Sequence, residues 1–265
     1  MRSLLARIGN RLSPARRELR RQRSSPRGIA TRSWLIAPEF ETVDGGSFAA
    51  QYEQIFGREE FLIPAGDPTP RIIDCGANVG TFTVFCARRF PGSRIVAFEP
   101  DPRVFAVLQR NVSRCCPASS IELVNAAVAD RETGAIRFRA DGCDAGRLTG
   151  DASSGATIEV RAVRLRDYLA EPCAMLKMDI EGAESDVLRD CRDMLAATAR
   201  IFVEYHSFAD RPQDLDEVLT ILKDAGFRCY IHSGKVPSRP FLDRPCFLGM
   251  DMQLDIWGVR EGTGG

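Results

Sequence analysis

The sequence predicts an α/β protein: an open, doubly wound, mostly parallel sheet of seven strands with helices on both faces and an inserted hairpin. Three observations predict it. From about Pro70 onward, short apolar runs alternate with stretches of helical period. A glycine-rich turn follows the first of those runs, and an acidic residue, Glu99, closes the second.

Taken in order, the chain divides into a basic tail (1–33), a cap region (34–69) and a main domain (70–265). In the tail, Leu4, Leu5, Ile8 and Leu12 fall near one face of a short amphipathic helix that runs until Pro14. Strands are expected at 71–75, 94–99, 121–125, 175–179, 201–205, 229–232 and 254–259. Helices are expected at 80–90, 102–115, 184–196 and 213–225, with Pro102 at a favoured first position and Gly226 as a stop. Segments 135–139 and 157–165 form the hairpin, joined by a Gly, Asp and Ser-rich loop at 141–155.

Composition narrows the class. With 265 residues, 44% hydrophobic and 27% charged, the chain is neither fibrous, low-complexity nor a small disulfide scaffold. No run approaches the roughly 18 apolar residues of a membrane span. The zero net charge hides an asymmetry: residues 1–33 hold ten arginines against one acid, Glu18, leaving 26 basic and 35 acidic residues elsewhere. The tail therefore suits an anionic membrane surface, an acidic protein partner, an organellar transit peptide or a solvated disordered extension. Nucleic acid is not predicted, because the basic run lacks interleaved aromatics and the acidic body repels phosphates. Nine cysteines without a CxxC pair read as reduced thiols, and the tail's apolar residues are too interrupted for a secretory signal. A cytoplasmic location is expected, with the tail as the one means of membrane association.

The strongest motif is Asp74-Cys75-Gly76-Ala77-Asn78-Val79-Gly80-Thr81, where an apolar strand breaks into a glycine-rich turn and opens a helix. Gly76 and Gly80 would let the backbone approach a ligand at the helix N-terminus. A dinucleotide fingerprint is excluded, because Asn78 and Thr81 stand where it needs glycine. Glu99, followed by Pro100 and about twenty residues beyond the turn, is placed to accept both hydroxyls of a ribose.

These motifs, with Lys177-Met178-Asp179-Ile180-Glu181-Gly182-Ala183-Glu184 and the later Phe202-Val203-Glu204-Tyr205-His206, resemble the FkbM family of S-adenosylmethionine-dependent methyltransferases over about 70–232. The resemblance implies a seven-stranded Rossmann-like class I methyltransferase fold. It also implies methyl transfer to a hydroxyl of a glycan, macrolide or related metabolite, a small-molecule or glycan acceptor. It implies that Asp74, Gly76, Asn78 and Gly80, with Ala77 and Thr81 in the same turn, receive the methionine moiety. By the same resemblance Glu99 and Pro100 serve the ribose, and Asn125 and Ala126 border the adenine.

In such a fold the fourth and fifth strands lie beside the first, so Asp179, Glu181, Glu204 and His206 converge near the sulfonium. His206, with a free pKa near 6.5, suits a general base. Asp179 is the other candidate, able also to orient the acceptor or bind the cofactor's amine. Lys177 pairs with Asp179 or Glu204, while Glu184 serves the helix dipole. Asp179, Glu204 and His206 form a donor set that suits Mg²⁺, although no metal ligand is predicted. Acceptor recognition falls to 47–61 and the 141–155 loop, where Tyr52, Phe56 and Phe61 form either an aromatic wall or plain core. The alternative functions are a non-catalytic scaffold docked through its tail and a nucleic-acid methyltransferase. The scaffold predicts no saturable binding of S-adenosylmethionine.

Overall fold

Near-continuous apolar runs such as Arg71–Cys75 and Met175–Met178 have no solvent face and form strands covered on both sides. In the computed structural model, which describes residues 13–64, 66–131, 133–139, 147–148, 157–233, 239 and 241–260, these runs build the centre of a seven-stranded sheet. The strands of this sheet are β3 (Arg71–Cys75), β4 (Arg94–Phe98), β5 (Ser120–Val124), β10 (Met175–Met178), β11 (Arg200–Phe208), β12 (Phe227–His232) and β13 (Met250–Arg260). Their order is β12-β13-β11-β10-β3-β4-β5. All pairings are parallel except those of β13 with β11 and β12.

Helices cover both faces. On one, α3 (Thr81–Arg89) and α4 (Pro102–Cys115) contribute Phe82, Phe85, Val104 and Leu108 to a core with Ile72, Ile95 and Phe202. On the other, α5 (Glu184–Cys191) and α6 (Leu215–Asp224) bury Val187, Leu188, Val218 and Leu222 against Ile73, Leu176 and Val203. Asp101 caps α4 by accepting from the Arg103 N–H, with Pro102 at the first helical position. The expected 184–196 helix is shorter: it ends at Cys191, and a 3₁₀ turn, Leu195–Ala197, follows.

The inserted hairpin is larger than its sequence suggests. Beside β7 (Thr133–Arg139) and β9 (Thr157–Arg164), which pair antiparallel, stand β6 (Ala127–Ala129) and β8 (Arg147–Leu148), giving a separate four-stranded sheet ordered β6-β9-β7-β8. Most of the expected 141–155 loop lies outside the described residues.

The amphipathic helix expected before Pro14 lies almost wholly outside the described residues. A helix starts at Pro14: α1 (Pro14–Arg23), with Ser13 as N-cap accepting from the Arg16 N–H. It is docked rather than solvated, with Leu19 and Gln22 buried and buried Glu18 bound to Arg21. The cap, with β1 (Thr31–Ser33), β2 (Phe40–Thr42), α2 (Gly45–Tyr52) and a π-helical turn at Glu53–Gly57, joins the same core as α3 and α4. Phe61 meets the rings of Phe82 and Phe202 edge-on at 4.9 Å. Tyr52 stacks on Phe56, which meets Phe85. The three aromatics are core and not an acceptor wall, because α2 turns its polar face, with Gln51, toward the cavity.

Candidate active site

The turn after β3 needs three left-handed residues within five: Gly76 at φ 82°, Asn78 at φ 49° and Gly80 at φ 91°. Asparagine is among the side chains that tolerate this region, and its Oδ1 accepts the Val79 N–H. Internal packing also requires both glycines. A Cβ on Gly76 would lie 1.8 Å from the Asp179 carbonyl oxygen, and one on Gly80 would lie 2.8 Å from Leu108. Backbone bonds then tie the turn to the end of β4. The Gly76 and Ala77 N–H groups donate to the Phe98 carbonyl, and the Asn78 N–H donates to Glu99 Oε2 at 3.0 Å. Glu99 Oε1 accepts the Asp101 N–H at 2.9 Å. Burial pushes the Glu99 carboxyl up to about 8, against the pull of those two donors.

Beneath the turn lies a buried lysine. Register places Lys177 of β10 opposite Asp74 of β3. Its Nζ donates to the Gly76 carbonyl at 3.1 Å and to Asp179 Oδ2 at 3.3 Å, and lies 3.5 Å from Asp74 Oδ1. Burial alone would lower this ammonium, but Asp179, Asp74 and Glu204 together hold it above its ordinary value. Asp74 Oδ2 accepts from the Thr83 hydroxyl at 2.6 Å, while burial raises the Asp74 carboxyl.

On β11, alternation puts Glu204 and His206 on one face. His206 is buried. Its Nδ1 lies 3.0 Å from Glu184 Oε1, and that oxygen also accepts the Ile180 and Gly182 N–H groups. A carboxylate oxygen so engaged is an acceptor, which assigns the Nδ1 proton to His206. Nε2 faces Glu204 Oε1 at 3.7 Å and Glu181 Oε2 at 3.8 Å. Burial opposes the imidazolium, but Glu181 and Glu184 outweigh it and raise His206 well above 6.5. Burial likewise raises Glu181 and takes Glu204 to about 8. Gln253 of β13 donates to Glu204.

These groups border a cavity of about 620 Å³ at the carboxyl ends of β3, β4, β10 and β11. Of the residues singled out in the sequence, Gly76, Asn78, Glu99, Pro100 and Ala126 line one part of it; Asp179, Glu181, Glu204 and His206 line the other. Asp74, Ala77, Gly80, Thr81 and Lys177 do not reach its wall. Asp74 and Lys177 form the clamp beneath the turn, and Ala77 and Thr81 are buried. Asn125 is also absent from the wall. Its Nδ2 donates to the Glu99 and Pro100 carbonyls and holds that strand end in place. The apolar boundary beyond Ala126 comes from Ala127, Val128 and Phe138 of the second sheet.

Sequence reasoning missed the roles of Glu184 and Asp255, and reached Gln54 and Arg58 only through the 47–61 segment. Glu184, taken for a helix-dipole group, is the carboxylate that orients His206. Gln54, Arg58 and Asp255 complete the wall, and Gln54 donates to Asp255 at 3.3 Å. Glu184 is the last acid of the 177–184 motif, so a signal existed. For Asp255 none did, since it reaches the site only because β13 runs antiparallel to β11 and sets it opposite Glu204.

A profile of the methyltransferase FkbM domain matches residues 74–229, more than half of the chain. The chain belongs to the FkbM methyltransferase family. It is thus an S-adenosylmethionine-dependent methyltransferase with a Rossmann-like class I fold. It is 28% identical to methyltransferase sdnD of Sordaria araneosa, over 66% of this chain and 80% of that one. It is 29% identical to the 31-O-demethyl-FK506 methyltransferase FkbM of Streptomyces tacrolimicus, over 70% and 84%. It is 31% identical to the 2-O-methyltransferase NoeI of Sinorhizobium fredii, over 52% and 64%.

Within this FkbM domain, Asp179, Glu181 and His206 bring ligand-type atoms within 4.8 Å of one another. The trio has Glu181 where Asp179, Glu204 and His206 were expected, although Glu204 also lies 3.7 Å from His206 Nε2. Lys177 already supplies a cation to Asp179 there.

Proposed function

We propose that this methyltransferase acts on a hydroxyl oxygen of a sugar, glycan or secondary-metabolite acceptor, with His206 as general base. The observation that carries the proposal is the His206–Glu184 pair. Glu184 accepts a hydrogen bond from the Nδ1–H, so once His206 is deprotonated above its raised pKa the free lone pair is on Nε2, at the cavity wall beside Glu181 and Glu204. Asp179 is the poorer candidate, because its Oδ2 already accepts from the Lys177 ammonium. Two of the relatives are named as O-methyltransferase and O-demethyl-FK506 methyltransferase, which supports oxygen as the acceptor atom.

The residues present fit S-adenosylmethionine. Each oxygen of Glu99 accepts one backbone N–H and keeps a lone pair for a ribose hydroxyl. Ala126, Ala127, Val128 and Phe138 supply an apolar wall for a purine, and Gly76 and Asn78 flank the amino-acid end. Asp179, Glu181 and Glu204 present carboxyl oxygens to the part of the cavity where a sulfonium would lie. When bound, the cofactor supplies an electrophilic methyl group. His206 Nε2 takes the acceptor proton, Glu184 stabilises the imidazolium, and Gln54, Arg58 and Asp255 orient the acceptor.

The test is transfer of labelled methyl from S-adenosylmethionine to a panel of sugars, lipid-linked glycans and polyketides, with product mapping of the methylated atom. His206→Ala is expected to lose about a hundredfold or more in turnover with cofactor affinity retained. Turnover at the wild-type rate across pH would remove His206 as base. A methylated nitrogen or carbon would overturn the oxygen assignment, and absence of saturable cofactor binding would favour a scaffold.

A further inference from the structure

Around the mouth of the cavity the surface changes character. Phe247 and Leu248 line it, and just before them in the chain Phe241 and Leu242 stand 92% and 75% exposed, with Arg239 and Arg244 to either side. Side chains that exposed sit on a convex tip and not in a groove. The guanidinium of Arg27 lies 5.9 Å over the Phe247 ring, which brings the segment after α1 to the same rim, and Ile29 nearby is 53% exposed. α1 turns Leu19 and Gln22 inward and leaves Arg16, Arg17 and Arg20 exposed. The chain before it adds Arg2, Arg7 and Arg11 with no acid.

We propose that this rim is a docking surface for an anionic lipid bilayer. Phe241 and Leu242 enter the headgroup layer, and the arginines of α1 meet lipid phosphates. Two independent chain segments supply the two ingredients that interfacial binding needs, apolar side chains that insert and basic groups that hold the surface. A convex pair of apolar residues fits a fluid medium that closes around it, where a protein partner would need a matching pocket. The charge asymmetry sets the orientation. Residues 34–265 carry 26 basic and 35 acidic groups and are repelled by an anionic surface, so the basic rim faces it and the cavity mouth opens toward the bilayer.

The experiment is flotation of the full chain with vesicles of phosphatidylcholine alone or with about one third phosphatidylglycerol, together with emission of a Phe241→Trp variant. The chain is expected to float only with the anionic vesicles, to be released by salt, and to give a blue shift from Trp at 241. Phe241→Ser with Leu242→Ser is expected to weaken partition about tenfold. Arg16→Glu with Arg20→Glu weakens it by roughly fivefold or more per charge removed. These side chains are exposed, so thermal melting of each variant should match the parent. Equal partition into neutral vesicles, no partition, or no blue shift overturns the proposal. So does binding to polyglutamate as tight as to vesicles and indifferent to the Ser pair, which would identify an acidic protein partner. None of these readouts needs methyl transfer, so they stand or fall apart from the catalytic reading.

Discussion

The two ends of the cavity are built on different physics. At the β3–β4 end, the wall is backbone: the turn amides reach the Phe98 carbonyl and the Glu99 carboxylate, and three left-handed residues hold the shape. At the β10–β11 end the wall is a crowd of ionisable side chains, with His206 facing Glu181, Glu184 and Glu204 and with Lys177 between Asp74 and Asp179. Backbone hydrogen bonds fix a shape that does not titrate. A buried charge cluster fixes a proton inventory that does. The comparison teaches that binding and chemistry here respond to different perturbations.

The largest expected effect falls on the shape. Gly76→Ala puts a Cβ against the Asp179 carbonyl at a left-handed φ, and is expected to cost at least about 3 kcal/mol in urea unfolding. Near-normal stability would show that the two strand ends are free to separate.

Next comes Glu184→Gln, which separates the two ends. Wild-type kcat/KM should rise with pH through a pKa above 6.5, because the carboxylates stabilise the imidazolium and the base form appears only as pH rises through the raised value. Removing the Glu184 charge lowers that pKa, so the acid limb moves to lower pH while the maximal rate falls about tenfold. Cofactor affinity should not change. An unmoved limb would mean that another group titrates.

Glu99→Gln is the converse, expected to weaken S-adenosylmethionine binding by about tenfold in calorimetry and to leave the position of the acid limb alone. A shifted limb would show the ends to be coupled. The smallest expected effect is that of a chelator. With Lys177 neutralising Asp179, EDTA should leave turnover unchanged, and a loss restored by Mg²⁺ would reassign Asp179, Glu181 and His206 as ligands.

Most of the sheet was legible because buried parallel strands leave unbroken apolar runs. Strand 71–75 and helix 102–115 match residue for residue, the latter because Pro102 and its Asp101 cap mark the start. Glu99 and His206 were legible as ends of such runs. What escaped were contacts whose partners lie far apart in the chain. Tyr52, Phe56 and Phe61 read equally as wall or core, and only packing against α3 and β11 decides for core. Asn125 reads from sequence as a border of the adenine, and its amide also braces the Glu99 carbonyl, a matter of side-chain direction that residue type does not carry.

By itself the amino-acid order determined the alternation of strands and helices, the bend after β3 and the acid that faces it, since propensity, hydrophobic period and left-handed φ are properties of neighbouring residues. Tertiary structure alone decided that Gly76 makes room for Asp179, that Glu184 and not solvent meets His206, and that α1 docks beside an apolar rim. Those outcomes depend on strand register and on the distance between groups brought together from opposite ends of the chain, and no local pattern records either.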